Sequence, residues 1–304
     1  MTEHDIVLLT DSRYVKPRIT NSYVQNIIDE DILLTNALQA RGLRTVRVDW
    51  ADKNFDWETA KTAVFRTTWD YFDRIGEFLQ WLNDTSKKIQ FINPIDTILW
   101  NLDKHYLQDL ADHQVNIPPT LFIEQGEPSN LQEIISKTDW QDIILKPAVS
   151  GAARHTYRIS LSNLADHEIM FKRLINQESM LLQPFQHSVL KMGEIALMYF
   201  NGEYSHAILK KAKPGDFRVQ DDFGGTVHDY NPSRTEIELG YQALAVCSPL
   251  PVYARVDIIT NNAGNPVVSE LELIEPELWL RCKPAAAELF ADGIKTSIQQ
   301  QLIS

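Results

Sequence analysis

A chain of 304 residues, 44% of them hydrophobic, is long enough for a full apolar core and for more than one domain. Its formal net charge of −12 argues against a nucleic-acid or anionic-membrane partner, because a broad basic surface is missing. The 2 cysteines, Cys247 and Cys282, and a start unlike a signal peptide point to a reducing, cytoplasmic setting, and no apolar run nears the roughly 20 residues that cross a bilayer.

Ile6–Leu9 and Leu43–Asp49 read as strands, with Ile27, Ile28, Leu34, Ala37 and Leu38 at helical spacing between them until Gly42 stops the helix. A third strand, Thr62–Phe65, leads into Arg66-Thr-Thr-Trp-Asp-Tyr71, and a helix carrying Phe78, Leu79, Trp81 and Leu82 follows. Residues 1–100 therefore read as a small parallel α/β domain. Ligands of such sheets sit beyond the carboxyl ends of strands, where the pattern puts Arg66, Thr68 and Asp70. Trp69 and Tyr71 fit equally well as core aromatics with polar neighbours in a loop.

A helix from Asn101 to Leu110 carries Lys104, and Pro118-Pro119 marks a boundary before a strand at Thr120–Ile123. Then come a helix at Leu131–Lys137, a strand at Asp142–Pro147, the loop Ser150–Arg154, a strand at Thr156–Ile159, another helix and a strand at Met180–Phe185. Residues 101–185 thus describe a second, smaller α/β unit. Residues 186–304 read mostly as antiparallel strands, Glu194–Phe200, Glu203–Lys210 and a hairpin, closed by a helix from Ala285 to Leu302.

The hairpin is the most informative segment. Tyr253–Thr260 and Val267–Pro276 flank the turn-rich Asn261–Pro266, with charges set inside apolar strands. Side chains alternate faces along a strand, so Arg255 and Asp257 share one face, as do Glu270 and Glu272, while Val256, Ile258, Leu271 and Leu273 take the other. If Asp257 pairs near Ser269 or Glu270, three carboxylates converge, an oxygen donor set that suits Mg2+. A salt-laced solvent face explains the same charges without a ligand.

The cations need partners too. Lys146 ends one apolar strand, Lys210 and Lys211 end another, Arg218 sits in a Pro-Gly-Asp-Phe-Arg turn, and Arg255 faces the carboxylates. A magnesium triphosphate would satisfy both sets of charge, although any one of these cations alone also fits an exposed or snorkelling side chain. Gly224-Gly225 offers either backbone N–H groups to an anion or a plain turn. None of the 8 histidines has metal-ligand spacing, and His206 and His228 read as pocket-lining or structural.

Taken in order, Lys104, Leu145-Lys-Pro147, Gln183-Pro-Phe185, Gly193-Glu194, Pro214-Gly-Asp-Phe-Arg218 to Gly224-Gly225, Arg255-x-Asp257 and Glu270-x-Glu272 resemble the ATP-grasp fold. The similarity is to its glutathione synthetase ATP-binding-domain-like group, and within that to the D-cycloserine ligase-like group, over nearly the whole chain. It implies a fold with α/β and α+β parts: an N-terminal pre-ATP-grasp parallel α/β domain, then a central and a C-terminal ATP-grasp subdomain.

By resemblance, Lys104 and Lys146 touch the phosphates of ATP, with Lys146 also near the adenine, and backbone groups around Gln183, Pro184 and Phe185 read the adenine edge. Glu194 belongs to the same nucleotide set. Lys210 and Arg218 match cations that stabilise the γ-phosphoryl and the reacting carboxylate, with Arg255 beside them, and Asp257, Glu270 and Glu272 match Mg2+ ligands. The group often has Asn where this chain has Glu272. The loop over the phosphates is often glycine-rich, yet this one has Gly151 alone, expected to supply a tight turn, with Arg154 adding a cation on closure.

The function implied is an ATP-dependent, ADP-forming carboxylate–amine ligase acting through an acylphosphate on small amino-acid-like substrates. Arg66, Thr68, Trp69 and Asp70 are expected to face the acceptor pocket and Arg281 to contact a carboxylate. Homodimerisation is expected by analogy. A non-catalytic ATP-binding regulatory protein and a small-molecule carboxylate kinase share these features, and the identity of either substrate is not written in the chain.

Overall fold

A computed structural model describes residues 2–219 and 223–301. Strand β1 (His4–Thr10) is followed by helix α1 (Ser22–Ala40), β2 (Thr45–Asp49), β3 (Ala60–Thr67), α2 (Ile75–Thr85) and β4 (Gln90–Ile92). These four strands form a parallel sheet in the order β2-β1-β3-β4. Ile6, Val7, Leu8 and Leu9 are all buried, as a central parallel strand covered on both faces requires. Helix α1 starts where the Asn21 side chain accepts the Val24 N–H, and it stops before Gly42, whose positive φ of 77° ends the helical run. β3 extends two residues past the strand read from sequence, so Arg66 lies inside the sheet rather than beyond its end.

Helices α3 (Ile95–Leu102) and α4 (Tyr106–Asp112) replace the single helix expected around Lys104. Lys104 sits in the turn between them, its backbone N–H bonded to the Ala148 carbonyl at 2.9 Å. Next come β5 (Leu121–Ile123), α5 (Leu131–Ile135), β6 (Asp142–Pro147), β7 (Tyr157–Ser160), α6 (Leu164–Ile175) and β8 (Met180–Pro184). Their strands pair antiparallel in the order β5-β8-β6-β7.

The last part holds α7 (Val189–Met192), β9 (Glu194–Phe200), β10 (Glu203–Lys211), β11 (Thr226–Tyr230), α8 (Arg234–Ala245), β12 (Tyr253–Thr260), β13 (Pro266–Glu272) and α9 (Ala286–Gln301). Its five-stranded antiparallel sheet runs β11-β10-β9-β12-β13. Helix α8 went unread in the sequence although it opens on a capping box, Ser233 and Glu236 each bonding the other's backbone. Leu302, expected to end the last helix, lies outside the described residues.

One apolar core joins the sheets at the two ends of the chain: Ile6, Leu8, Leu34 and Leu38 pack with Met198, Phe200, Tyr253, Phe290 and Ile294. Arg41, just past α1, adds ion pairs to Glu288 at 2.5 Å and Asp292 at 2.7 Å on α9. No described helix is long and apolar enough to cross a membrane.

Candidate active site

The β12–β13 register places Arg255 opposite Glu272 and Asp257 opposite Glu270, with an irregularity after Asp257. Ligand oxygens of Asp257, Glu270 and Glu272 lie within 4.8 Å of one another. They line a cavity of about 340 Å³.

Strand β13 is a sheet edge, and side chains from the α3–α4 region satisfy its free backbone. Asn101 donates to the Leu271 carbonyl and accepts from the Leu273 N–H, both at 2.8 Å, while the Tyr106 hydroxyl accepts from the Leu271 N–H at 3.0 Å. Asn93 does the same one step further, donating to Leu273 O at 2.8 Å and to Tyr253 O at 2.9 Å. The bonds to Leu271 and Leu273 interleave with Glu270 and Glu272 and so fix where their carboxylates emerge.

Each carboxylate of the cluster meets a cation. Lys104 Nζ is 3.0 Å from Glu270, Arg255 contacts Glu272, and Asp257 accepts from Lys210 at 2.9 Å and from Arg255 Nη2 at 2.9 Å. Lys210 also reaches Glu194, its cross-strand neighbour, at 2.5 Å. Burial resists ionisation of Asp257, but Arg255 and Lys210 outweigh it and hold this carboxyl below the usual range. Glu272 goes the other way: burial pushes it up to about 8 against Arg255, and Glu270 and Asp257 add to the rise. A hard dication at the meeting point would relieve that repulsion, and three carboxylates with room for further oxygen ligands fit Mg2+.

Lys146 is different. It lines the cavity from β6 and forms no ion pair among the described residues. Burial, helped by Lys104, lowers its pKa, so an anion brought beside it would restore the favoured charge. Nearby, Gln183, Pro184 and Phe185 at the end of β8 line an apolar recess with Ile144, Val189, Phe217 and Ile259. Phe217 meets Phe185 edge-on at 5.9 Å, and Arg158 lies 3.9 Å over the other ring. Arg218 reaches the cavity while paired to Asp216 at 2.8 Å.

Ser150, Gly151, Ala152 and Ala153 also line the cavity. The left-handed backbone here belongs to Ala152, Ala153 and His155, with φ of 48°, 55° and 48°. Gly151 serves close approach: a Cβ there would stand 2.7 Å from the Phe72 ring. Strain carried by three non-glycine residues marks a segment held in place by its surroundings.

Several residues expected at the site are elsewhere. Arg66 is 2% exposed and locked between Glu30 at 2.7 Å and Asp31 at 3.2 Å. Thr68 is fully buried, and Asp70 is taken by Trp50 Nε1 at 2.8 Å and Arg74 at 2.6 Å. Arg154 forks onto Glu178, both bonds at 2.9 Å, and reaches Asp73 at 3.2 Å. Arg281 pairs with Glu277 at 2.5 Å. None of these, nor Gly224 and Gly225, lines the cavity. Buried cations in an acidic protein find carboxylates of their own, and periodicity does not tell which. Of the first-domain group only Trp69 reaches the cavity, with its indole N–H bonded to the Glu275 carbonyl at 3.0 Å. His206 is buried outside the lining.

Tyr14, Tyr23, Phe72, Glu275 and Trp279 line the cavity without having been expected there, and Tyr71, which fitted equally well as a core aromatic, lines it too. Trp279 packs beside Arg255 and Lys210, 5.2 and 5.8 Å from its ring centre, with a strained φ of 45°. Its signal was a large aromatic in Glu-Leu-Trp-Leu just after the acidic strand. The others come from loops whose approach depends on tertiary packing.

The family described as the N-terminal domain of D-cycloserine synthetase DcsG matches residues 6–93. The cycloserine biosynthesis protein DcsG of Streptomyces lavendulae is 31% identical over 280 residues, 86% of this chain and 91% of that protein. The crystal structure of D-cycloserine synthetase DcsG is similar with a TM-score of 0.84 at 29% identity, covering 96% of this chain and 99% of that one. A D-alanine–D-alanine ligase from Bacillus anthracis, complexed with ATP, shares the fold with a TM-score of 0.65 at 16% identity, covering 98% of each chain.

Proposed function

The chain belongs to the DcsG family of ATP-grasp ligases, and on that premise we propose that it joins a small carboxylate to an amine, with ATP converted to ADP and phosphate. The observation that carries this reading is one cavity in which three convergent carboxylates share the lining with Lys146, a half-buried cation with no ion pair among the described residues. Asp257, Glu270 and Glu272 would hold Mg2+, which when bound offsets phosphoryl charge.

In the first half-reaction a substrate carboxylate oxygen bonds to the γ-phosphorus, the bond to ADP breaks, and an acylphosphate results. In the second, the amine, which gives up its extra proton to solvent if it arrives as an ammonium, bonds through its nitrogen lone pair to the acyl carbon; phosphate leaves with the former carboxylate oxygen, and the remaining surplus proton on nitrogen passes to that phosphate or to solvent. The obstacle is bringing two anions together: at about 4 Å each unit pair costs roughly 4 kcal/mol at an effective dielectric near 20. Lys146, Lys210, Arg218 and Arg255 all reach the cavity and supply fixed positive charge against that cost. Phe185 and Phe217 form an apolar slot for a base, with Gln183 and the neighbouring backbone at its edge. The strained loop at 150–153 covers the phosphate side and excludes water that would hydrolyse an acylphosphate.

ADP release from Mg-ATP, measured over pairs of small carboxylates and amines, tests the reading. Asp257→Asn, which keeps shape and removes charge, is expected to lower turnover by at least about a hundredfold. Undiminished turnover in that variant would overturn the assignment.

A further inference from the structure

Glu275 lies three residues past β13 and lines the cavity at the side built from the N-terminal sheet's loops. The Tyr71 hydroxyl donates to its carboxylate, and its backbone carbonyl holds the Trp69 indole at 3.0 Å. We propose that the recess between Glu275 and the Trp69 ring receives the protonated amine of a small substrate, Glu275 serving as counter-ion. The proposal rests on the ligase reading for the role of that amine, but the recess and its charge stand without it.

Charge accounting singles out Glu275. Lys104 is committed to Glu270, Arg255 to Glu272 and Asp257, Lys210 to Asp257 and Glu194, Arg13 to Asp11 at 2.6 Å and Arg281 to Glu277 at 2.5 Å. Among the described residues Glu275 forms no ion pair. Burial pushes its carboxyl up to about 7, and Glu270 adds to the rise while Tyr71 and Lys104 oppose it. A carboxylate so placed gains most from a cation delivered into the cavity.

The walls suit the same guest. Tyr14 meets Trp69 edge-on at 5.8 Å and Tyr23 lies tilted at 6.3 Å, and all three aromatic residues line the cavity. Ring faces attract an ammonium group and do nothing for a second carboxylate, which Glu275 repels. The recess therefore selects a primary amine on a small aliphatic body. Lys210 and Arg255, beside Asp257, suit the carboxylate partner instead, so the two substrates are distinguished by charge.

The test is isothermal titration of the whole chain with D- and L-alaninamide, which are cationic and lack a carboxylate, against the neutral N-acetylalaninamides, each with and without Mg-AMPPNP. At least one alaninamide is expected to bind saturably and its acetylated counterpart at least about tenfold more weakly. Glu275→Gln is expected to lose about tenfold or more in alaninamide affinity while the Mg-AMPPNP melting shift is unchanged. Should that variant not fold, Trp69→Leu is the second probe, with the same expectation. Wild type that binds no alaninamide, or equal binding of charged and acetylated probes, or undiminished affinity in a folded variant, overturns the proposal. Failure of wild type to bind Mg-AMPPNP would instead remove the ligase reading, and the nucleotide-free titrations would still decide this one.

Discussion

His206 shows how burial dominates a residue's chemistry. Its ring is 8% exposed on β10, with Nε2 3.0 Å from the Leu278 carbonyl and Nδ1 3.0 Å from the Ser205 hydroxyl. Burial lowers its pKa to about 4, and Lys283 pushes the same way against the Leu278 carbonyl. A base depressed below its ordinary value near 6.5 binds fewer protons folded than unfolded. Its stabilising contribution is therefore complete above pH 6.5 and is lost as pH falls toward 4. Between pH 7 and pH 5 the wild type is expected to lose about 2 kcal/mol through this residue. Urea denaturation at both pH values checks it: His206→Gln, whatever its own stability, is expected to show a smaller difference by about that amount. An unchanged difference would mean that the ring is protonated in the fold.

At the scale of elements, β13 has the central problem of any edge strand that carries a site: half its backbone groups point away from the sheet. Asn101 answers by acting as a short piece of neighbouring strand, pairing with Leu271 O and Leu273 N on either side of Glu272. Asn101→Ala leaves two buried backbone groups unpaired and is expected to cost about 2 to 4 kcal/mol of stability by chemical denaturation. Because Glu270 and Glu272 take their positions from that backbone, the same variant is expected to need more Mg2+ for half-maximal ATP turnover. Loss of stability with an unchanged magnesium requirement would show that the staple supports the fold without setting the site.

At the scale of the molecule, the cavity exists only because three sheets meet around it, and few charged contacts tie the covering loop across that meeting. Arg154 joins that loop both to Glu178, before β8, and to Asp73, after β3. Bidentate, partly buried pairs hold geometry better than exposed ones. Arg154→Ala is expected to raise KM for ATP with little change in kcat and to hasten thermolysin cleavage within residues 150–155 of the nucleotide-free protein. Unaltered cleavage and KM together would show that packing of Gly151 on Phe72 suffices to hold the loop.

Most strands and most helices were legible in the chain, because hydrophobic alternation and caps are local, and so was the acidic face of the β12–β13 hairpin, because side-chain direction alternates along any strand; β11 was not. Helix α8 was legible in its capping box and was passed over, whereas three-residue β4 is too short to carry a period. Tertiary structure alone decided which charges face the cavity. Arg66, Arg154 and Arg281 read from sequence just as Lys146 and Arg255 do, yet the first three are held by Glu30, Glu178 and Glu277 away from it. Tyr71 and Glu275 are about two hundred positions apart and meet only because the sheets pack. A side chain's role depends on which charges share its low-dielectric surroundings, and the chain order of residues does not encode that distance.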